Sequence, residues 1–215
     1  MQDRVIQKMV RDELEWEPSI DAADVDVTVE AGIVTLNGHV ANYLQKVAAE
    51  GAVKRVKGVR GYVDRLEIRV LAHADSDEAL ANRVANLIDW HVSVPKNAVK
   101  VKVEKGMVTL TGKVDWNFQR AAAEQGVRAI YGVRGLINQI EVKPHVEVSD
   151  VKKRIEDALS RQAEIDADRI KVTVEGGKVR LDGKVRGWFE RDVAERAAWA
   201  APGVSAVDDR VAISG

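Results

Sequence analysis

Residues 103–114 read VEKGMVTLTGKV, and two other stretches of the chain read almost the same: VEAGIVTLNGHV at 29–40 and VEGGKVRLDGKV at 174–185. Gly38, Gly112 and Gly183 hold matching places, 74 and then 71 residues apart. A period of that length leaves room for helices and strands within each copy, so it signals an array of small modules. Within the segment, Lys105-Gly106 reads as a tight turn, as do Ala31-Gly32 and Gly176-Gly177, because glycine takes positive φ there without cost. The return strand then points Val34, Leu36 and Val40 inward, with Gly38 on the same face. A strand gives up packing at an inward glycine where something comes close. The expected visitor is the second helix of each copy.

Working outward, each copy opens with a helix whose apolar residues recur every fourth position: Ile6, Val10, Leu14; Leu80, Val84, Ile88; Val151, Ile155, Leu159. Ser76 and Ser149 occupy N-cap places. Pro18 and Pro95 follow the helix ends, and Val25, Val27, Val29 then alternate with polar residues as a half-buried strand does, echoed by Val99, Val101, Val103 and Ile170, Val172, Val174. A second helix is expected to bury Leu44, Ala48, Ala52, Val56 in the first copy, Phe118, Ala122, Gly126, Ile130 in the second, and Phe189, Val193, Ala197, Ala201 in the third. A last strand closes each unit in VKGVRGYVDRLEI, IYGVRGLINQIEV and APGVSAVDDRVAI.

The order is therefore helix, strand, strand, helix, strand, three times over, with modules at 1–71, 76–143 and 149–215. The repeated VxxGxVxLxGxV core, followed by an Ala-rich helix and a GV turn, resembles the BON domain. The resemblance covers the whole chain and implies an α+β fold of three tandem αββαβ modules, each with two helices packed on a three-stranded mixed sheet whose last strand runs parallel to its second. It also implies a role in osmotic or general stress and a phospholipid or envelope partner.

Composition narrows the rest. The 33 Lys and Arg nearly balance the 34 Asp and Glu, which argues against a general nucleic-acid binder. With no cysteine there is neither disulfide nor thiol chemistry. No run approaches the ~18 apolar residues of a membrane span, and the N-terminal MQDRVIQKMVRDELEW lacks the pattern of a signal peptide. As it stands the chain reads as cytoplasmic, and as periplasmic if a signal peptide has been removed.

Catalytic constellations do not emerge. His39, His73, His91 and His145 lie in unrelated contexts with no second ligand at metal spacing, and no serine sits in a nucleophile elbow. The glycines follow hairpins rather than a strand-to-helix phosphate loop. Lys46 with Glu50, Arg120 with Glu124 and Arg191 with Glu195 recur four apart on the second helix, which reads as an exposed i, i+4 ion pair contributing roughly 0.2–0.5 kcal/mol. The expectation is a non-enzyme with no cofactor and no metal.

The copies differ in two respects. The middle copy carries ten basic against seven acidic side chains, whereas the first is acidic and the third balanced. Its cations include Lys100, Lys102, Lys105 and Lys113, with Arg120 on the following helix. Such lysines suit either an edge protected from aggregation or a surface for an anionic partner. Trp116 and Trp199 stand where the other copies keep Asn42 or Gly187 and Lys54 or Arg128, and large apolar residues at such places belong to an interface, between modules or with a partner. The linkers, LAHADS at 71–76 and KPHVEVS at 143–149, are short and lack the Gly/Ser content of a free tether.

Together these readings indicate a non-catalytic binding protein that attaches to anionic phospholipid surfaces or envelope components in stress protection. The contact residues would be Lys100, Lys102, Lys105, Lys113, Trp116, Arg120 and Trp199. The alternative is a cytoplasmic protein–protein scaffold anchored by Trp116 and Trp199.

Overall fold

A computed structural model of the chain describes residues 2–69, 76–143, 150–162 and 166–214. The linker residues 70–75 and 144–149 lie outside them, and with these His73, His145 and the expected cap Ser149.

The first copy folds as helix α1 (Asp3–Trp16), strands β1 (Val25–Glu30) and β2 (Ile33–Val40), helix α2 (Tyr43–Arg55) and strand β3 (Gly61–Ile68). The second repeats the order as α3 (Asp77–Trp90), β4 (Val99–Glu104), β5 (Met107–Val114), α4 (Asn117–Arg128) and β6 (Gly135–Val142). The third runs α5 (Val151–Ser160), β7 (Ile170–Glu175), β8 (Lys178–Val185), α6 (Trp188–Ala200) and β9 (Ala206–Ile213). Each copy builds its own three-stranded sheet, in the orders β1-β2-β3, β4-β5-β6 and β7-β8-β9. The middle strand pairs antiparallel with its hairpin partner, and in the first two sheets parallel with the last strand. The described residues gather into two compact bodies, one drawn from 2–69, 186–189 and 213–214, the other from 76–143, 150–162, 166–185 and 190–212.

The stripes of the opening helices are buried as their spacing requires: Ile6, Val10, Leu14; Leu80, Val84, Ile88; and Val151, Ile155, Leu159. So are Val34, Leu36 and Val40 with their counterparts on β5 and β8. Ser76 caps α3 by accepting the Ala79 N–H at 3.3 Å. The hairpin turns adopt positive φ at both central residues, including the non-glycines Ala31 and Lys105. An aspartate at the start of the opening helix secures each of the first two: Asp77 accepts the N–H groups of Lys105 and Gly106 at 2.6 and 3.0 Å, and Asp3 those of Ala31 and Gly32 at 2.8 and 3.0 Å. The third turn, Gly176-Gly177, has glycine at both positive-φ places.

The structure corrects the expected role of the inward glycines. A Cβ at Gly112 would run into the carbonyl oxygen of Ala98, just before β4, and Gly38 and Gly183 face the carbonyls of Asp24 and Arg169 in the same way. These glycines also have φ of +141°, +120° and +151°. The close visitor is the backbone entering the first strand, not the helix.

The buried face of the second helix is corrected in part. Ala49, Ala52 and Val53 are buried in α2 and Val56 just past its end, Ala123 and Val127 in α4, and Val193, Ala194, Ala197 and Ala198 in α6. Leu44, Phe118 and Phe189 are instead exposed, Phe118 by 60%. In α4 the true stripe lies one position, about 100° of helix, from the one expected; Ala52 and Val56 of the first copy and Val193 and Ala197 of the third are buried as expected, with Ala49, Val53, Ala194 and Ala198 beside them. Alanine-rich helices give little apolar contrast from which to set the phase.

In the first and third copies the recurrent cation of this helix points across to the sheet. Lys46 pairs with Asp64 on β3 at 2.9 Å and donates to the Leu66 carbonyl at 2.7 Å. Arg191 pairs with Asp209 on β9 at 2.6 Å. An inter-element ion pair, partly shielded from water, thus takes the place of the expected i, i+4 pair.

Candidate binding surface of the middle module

Strand register determines which cations of the middle copy meet. Lys100 lies opposite Thr111 and Lys102 opposite Thr109, so both side chains point to the solvent side of the sheet, away from the buried Val108, Leu110 and Val114. Lys113, two positions beyond Thr111, shares that face and pairs with Glu141 on β6 at 3.0 Å. Lys102 pairs with Glu104 at 3.0 Å. Both pairs are well exposed, where an ion pair contributes about 0–1 kcal/mol, so either carboxylate is readily exchanged for another anion. Lys105 stands at the hairpin tip with its backbone tied to Asp77. The sheet therefore brings Lys100, Lys102 and Lys113 onto one face beside the exposed apolar side chains of Met107 and Ile137.

Arg120 and Trp199 form a separate group. The guanidinium lies 5.3 Å from the centroid of the Trp199 ring, while the indole Nε1 donates to Glu195 at 3.3 Å. A substitution on β6 accounts for this. Asn138 stands where the other copies have Asp64 and Asp209, and it donates its amide to Glu124 at 2.8 Å. Without a carboxylate at that place, Arg120 lacks the strand partner that holds Lys46 and Arg191, and its charge is directed to the indole face.

Trp116 is at the N-cap of α4, where Asn42 in the first copy accepts the Gln45 N–H at 2.9 Å. Tryptophan cannot make that bond, and the Gln119 N–H turns to the Trp116 carbonyl at 3.1 Å. The Gln119 side chain accepts the N–H groups of Trp116 and Asp115, both at 3.0 Å, as Gln45 accepts that of Ala41 in the first copy. A capping asparagine contributes about 1 kcal/mol. The tryptophan thus sits where the helix would be more stable with a small polar residue, half exposed and two residues from the exposed Phe118.

Sequence reasoning passed over the most exposed apolar groups. Trp16 and Trp90 end α1 and α3 with 84% and 86% of their surface in solvent, and Val92 beside Trp90 is fully exposed. Trp90, Val92 and Lys96 border one surface depression together with Asp89 and His91. The signal was available: each tryptophan stands two residues after the last member of a buried stripe, Leu14 or Ile88, and so on the outward side of its helix.

Among the described residues no three His, Cys, Asp or Glu side chains gather as they would to hold a metal ion, and no helix is long and apolar enough to cross a membrane. The Glu50 carboxyl is lifted above its ordinary 4.5, by burial first and the neighbouring Asp64 second. It accepts from the Tyr62 hydroxyl at 3.4 Å, and Trp188 meets the Tyr62 ring edge-on at 6.0 Å between centroids.

Three copies of an αββαβ unit, each with a helix-backed mixed sheet and a glycine-gated hairpin, define a tandem-module protein whose distinguishing residues lie on its surface. The chain belongs to the BON domain family, whose model matches residues 2–70, 76–144 and 147–215. It is 30% identical over 149 residues to the osmotically-inducible protein Y of Escherichia coli strain K12, a match covering 66% of this chain and 74% of that protein. Among solved structures it is similar, at 18% identity, to CdsD, a structural protein of the type III secretion system of Chlamydia trachomatis, with a TM-score of 0.27 over 96% of this chain and 91% of that one.

Proposed function

We propose that this BON-domain protein is a non-catalytic binding protein that attaches to anionic phospholipid surfaces or envelope components during osmotic stress. The stress setting rests on the likeness to osmotically-inducible protein Y. The observation that carries the lipid reading is the exposed pair of Trp90 and Val92 in the one module with a basic excess. An indole suits the boundary between headgroups and acyl chains. Lysines at the sheet face, Lys100, Lys102 and Lys113, with Lys105 at the turn, supply attraction that salt screens over a Debye length of about 8 Å.

Flotation with phosphatidylglycerol-containing and neutral vesicles at two salt concentrations tests this. The chain is expected to float with the anionic vesicles, more at low salt. Changing Lys100, Lys102 and Lys105 to Gln should weaken low-salt binding with the melting temperature nearly unchanged, and Trp90→Ala should weaken it at both salts. Indifference to anionic vesicles at low salt would overturn the reading. The second reading, a protein–protein scaffold, is favoured by Trp116, which displaces a helix cap to stand exposed near Phe118.

A further inference from the structure

The first helix and the second helix of each module meet along a seam that is filled in two copies and open in one. In the first copy, Arg55 from α2 reaches across to Glu13 of α1 and to Glu17 just past its end, at 2.6 and 3.1 Å. In the second, Leu87 of α3 lies so close over Gly126 of α4 that a Cβ there would come within 2.7 Å of its methyl group. In the third, the residues at the places of Glu13 and Arg55 are Ala158 and Ala200. The seam is left as a cavity of about 340 Å³, with Ala197, Ala201 and Pro202 completing an apolar floor. Its rim carries Arg154 and Asp157 on α5 and Arg161 just past its end. Arg161 replaces the tryptophan that ends the opening helix in the other two copies.

We propose that this cavity of the third module binds a small amphiphile with one carboxylate and a short apolar body. The size lies at the lower end of the about 300–1,000 Å³ that small-ligand sites span, which suits a small molecule. The floor offers only methyl, methylene and backbone surface, so it accepts an apolar body. Two guanidiniums against one carboxylate leave the rim with a net single positive charge, which matches a monoanion and disfavours a dianion or a cation. Arginine supplies the planar fork that a carboxylate meets in two parallel hydrogen bonds. Arg154 and Arg161 are seven residues apart, about 10 Å along the helix axis. The head group therefore engages one end of the cavity while the body lies along it.

Isothermal titration calorimetry of the full chain with monomeric sodium octanoate, below its micelle concentration, tests the proposal. Octanoate is expected to bind saturably, while acetate, lacking the body, and octyl glucoside, lacking the charge, bind at least tenfold more weakly. The double variant Arg154→Gln with Arg161→Gln, on an exposed rim, should lose at least tenfold in affinity. So should Ala158→Glu with Ala200→Arg, which fills the seam with the ion pair of the first module, with circular dichroism reporting that each variant is folded. No saturable heat with the natural chain, equal binding of acetate, or unchanged affinity in the rim variant would overturn the proposal. Monomeric octanoate presents no membrane surface, so failure here is separate from failure of vesicle flotation.

Discussion

The carbonyl oxygen of Ala98 occupies the place that the Cβ of any other residue at Gly112 would take. Two costs follow for a substitution: a collision with backbone that cannot swing aside, and a φ of +141° that L side chains rarely adopt. Gly112→Ala is expected to destabilise the chain by about 2–4 kcal/mol, read as a fall in the urea midpoint at unchanged slope. Enlarging the facing helix residue, Ala122→Val, should cost much less, since Ala122 does not line this contact.

Asp77 offers both carboxylate oxygens to the two N–H groups of the Lys105-Gly106 turn. Asp77→Ala leaves those donors to water and removes the tie between helix and hairpin, a loss of about 1–3 kcal/mol. Thermal unfolding should show it. Amide exchange at Lys105 and Gly106 should also quicken more than exchange in β5.

Arg120 and Trp199 should be energetically coupled by about 0.5–1 kcal/mol. A double-mutant cycle with Arg120→Gln and Trp199→Leu measures this in unfolding free energies. Asn138→Asp restores the carboxylate that Lys46 and Arg191 enjoy in their copies, and it should draw Arg120 off the indole, reducing the coupling toward zero.

Glu50 gives a pH dependence with a definite sign. Burial, then the Asp64 carboxylate, raise its proton affinity in the folded chain above the ordinary 4.5, so between the unfolded and folded values the native state binds more protons. Its contribution to stability is then most favourable below the ordinary value and declines as pH rises through the folded one. Glu50→Gln keeps a partner for the Tyr62 hydroxyl and removes the charge. The variant should be more stable than the natural chain near neutral pH, with the advantage shrinking toward pH 4, as melts across that range would show.

The parts of this fold that could be read from the sequence are those with strong apolar contrast. Ile6, Val10 and Leu14 alternate with charged residues, and Val34 and Leu36 with Thr35 and Asn37, so helix face and strand parity are set by local composition alone. The second helices fill much of their inward face with alanine, which is tolerated on either face, and their phase is decided by what the sheet offers them. For that reason the spacing alone points Phe118 and Phe189 inward, whereas both lie outward. The partner of Lys46 was hidden differently, since Asp64 is eighteen residues further on and adjacency comes only with the crossover. The recurrence of Asp64, Asn138 and Asp209 at one register position was the available clue. In the candidate surface, strand parity sufficed to gather Lys100, Lys102 and Lys113. The meeting of Arg120 with Trp199 required tertiary structure.

Every sheet is completed inside its own copy, the hairpin by a two-residue turn and the last strand after a single helix. During synthesis, then, the first sheet has all its hydrogen-bonding partners as soon as Ile68 has left the ribosome, long before the third copy is translated. No strand has to wait with an open edge for a partner from a later copy. Small units with near neighbours in sequence acquire structure quickly. A growing chain of this design carries finished modules behind it, and the time that any one copy spends unfolded does not lengthen as copies are added.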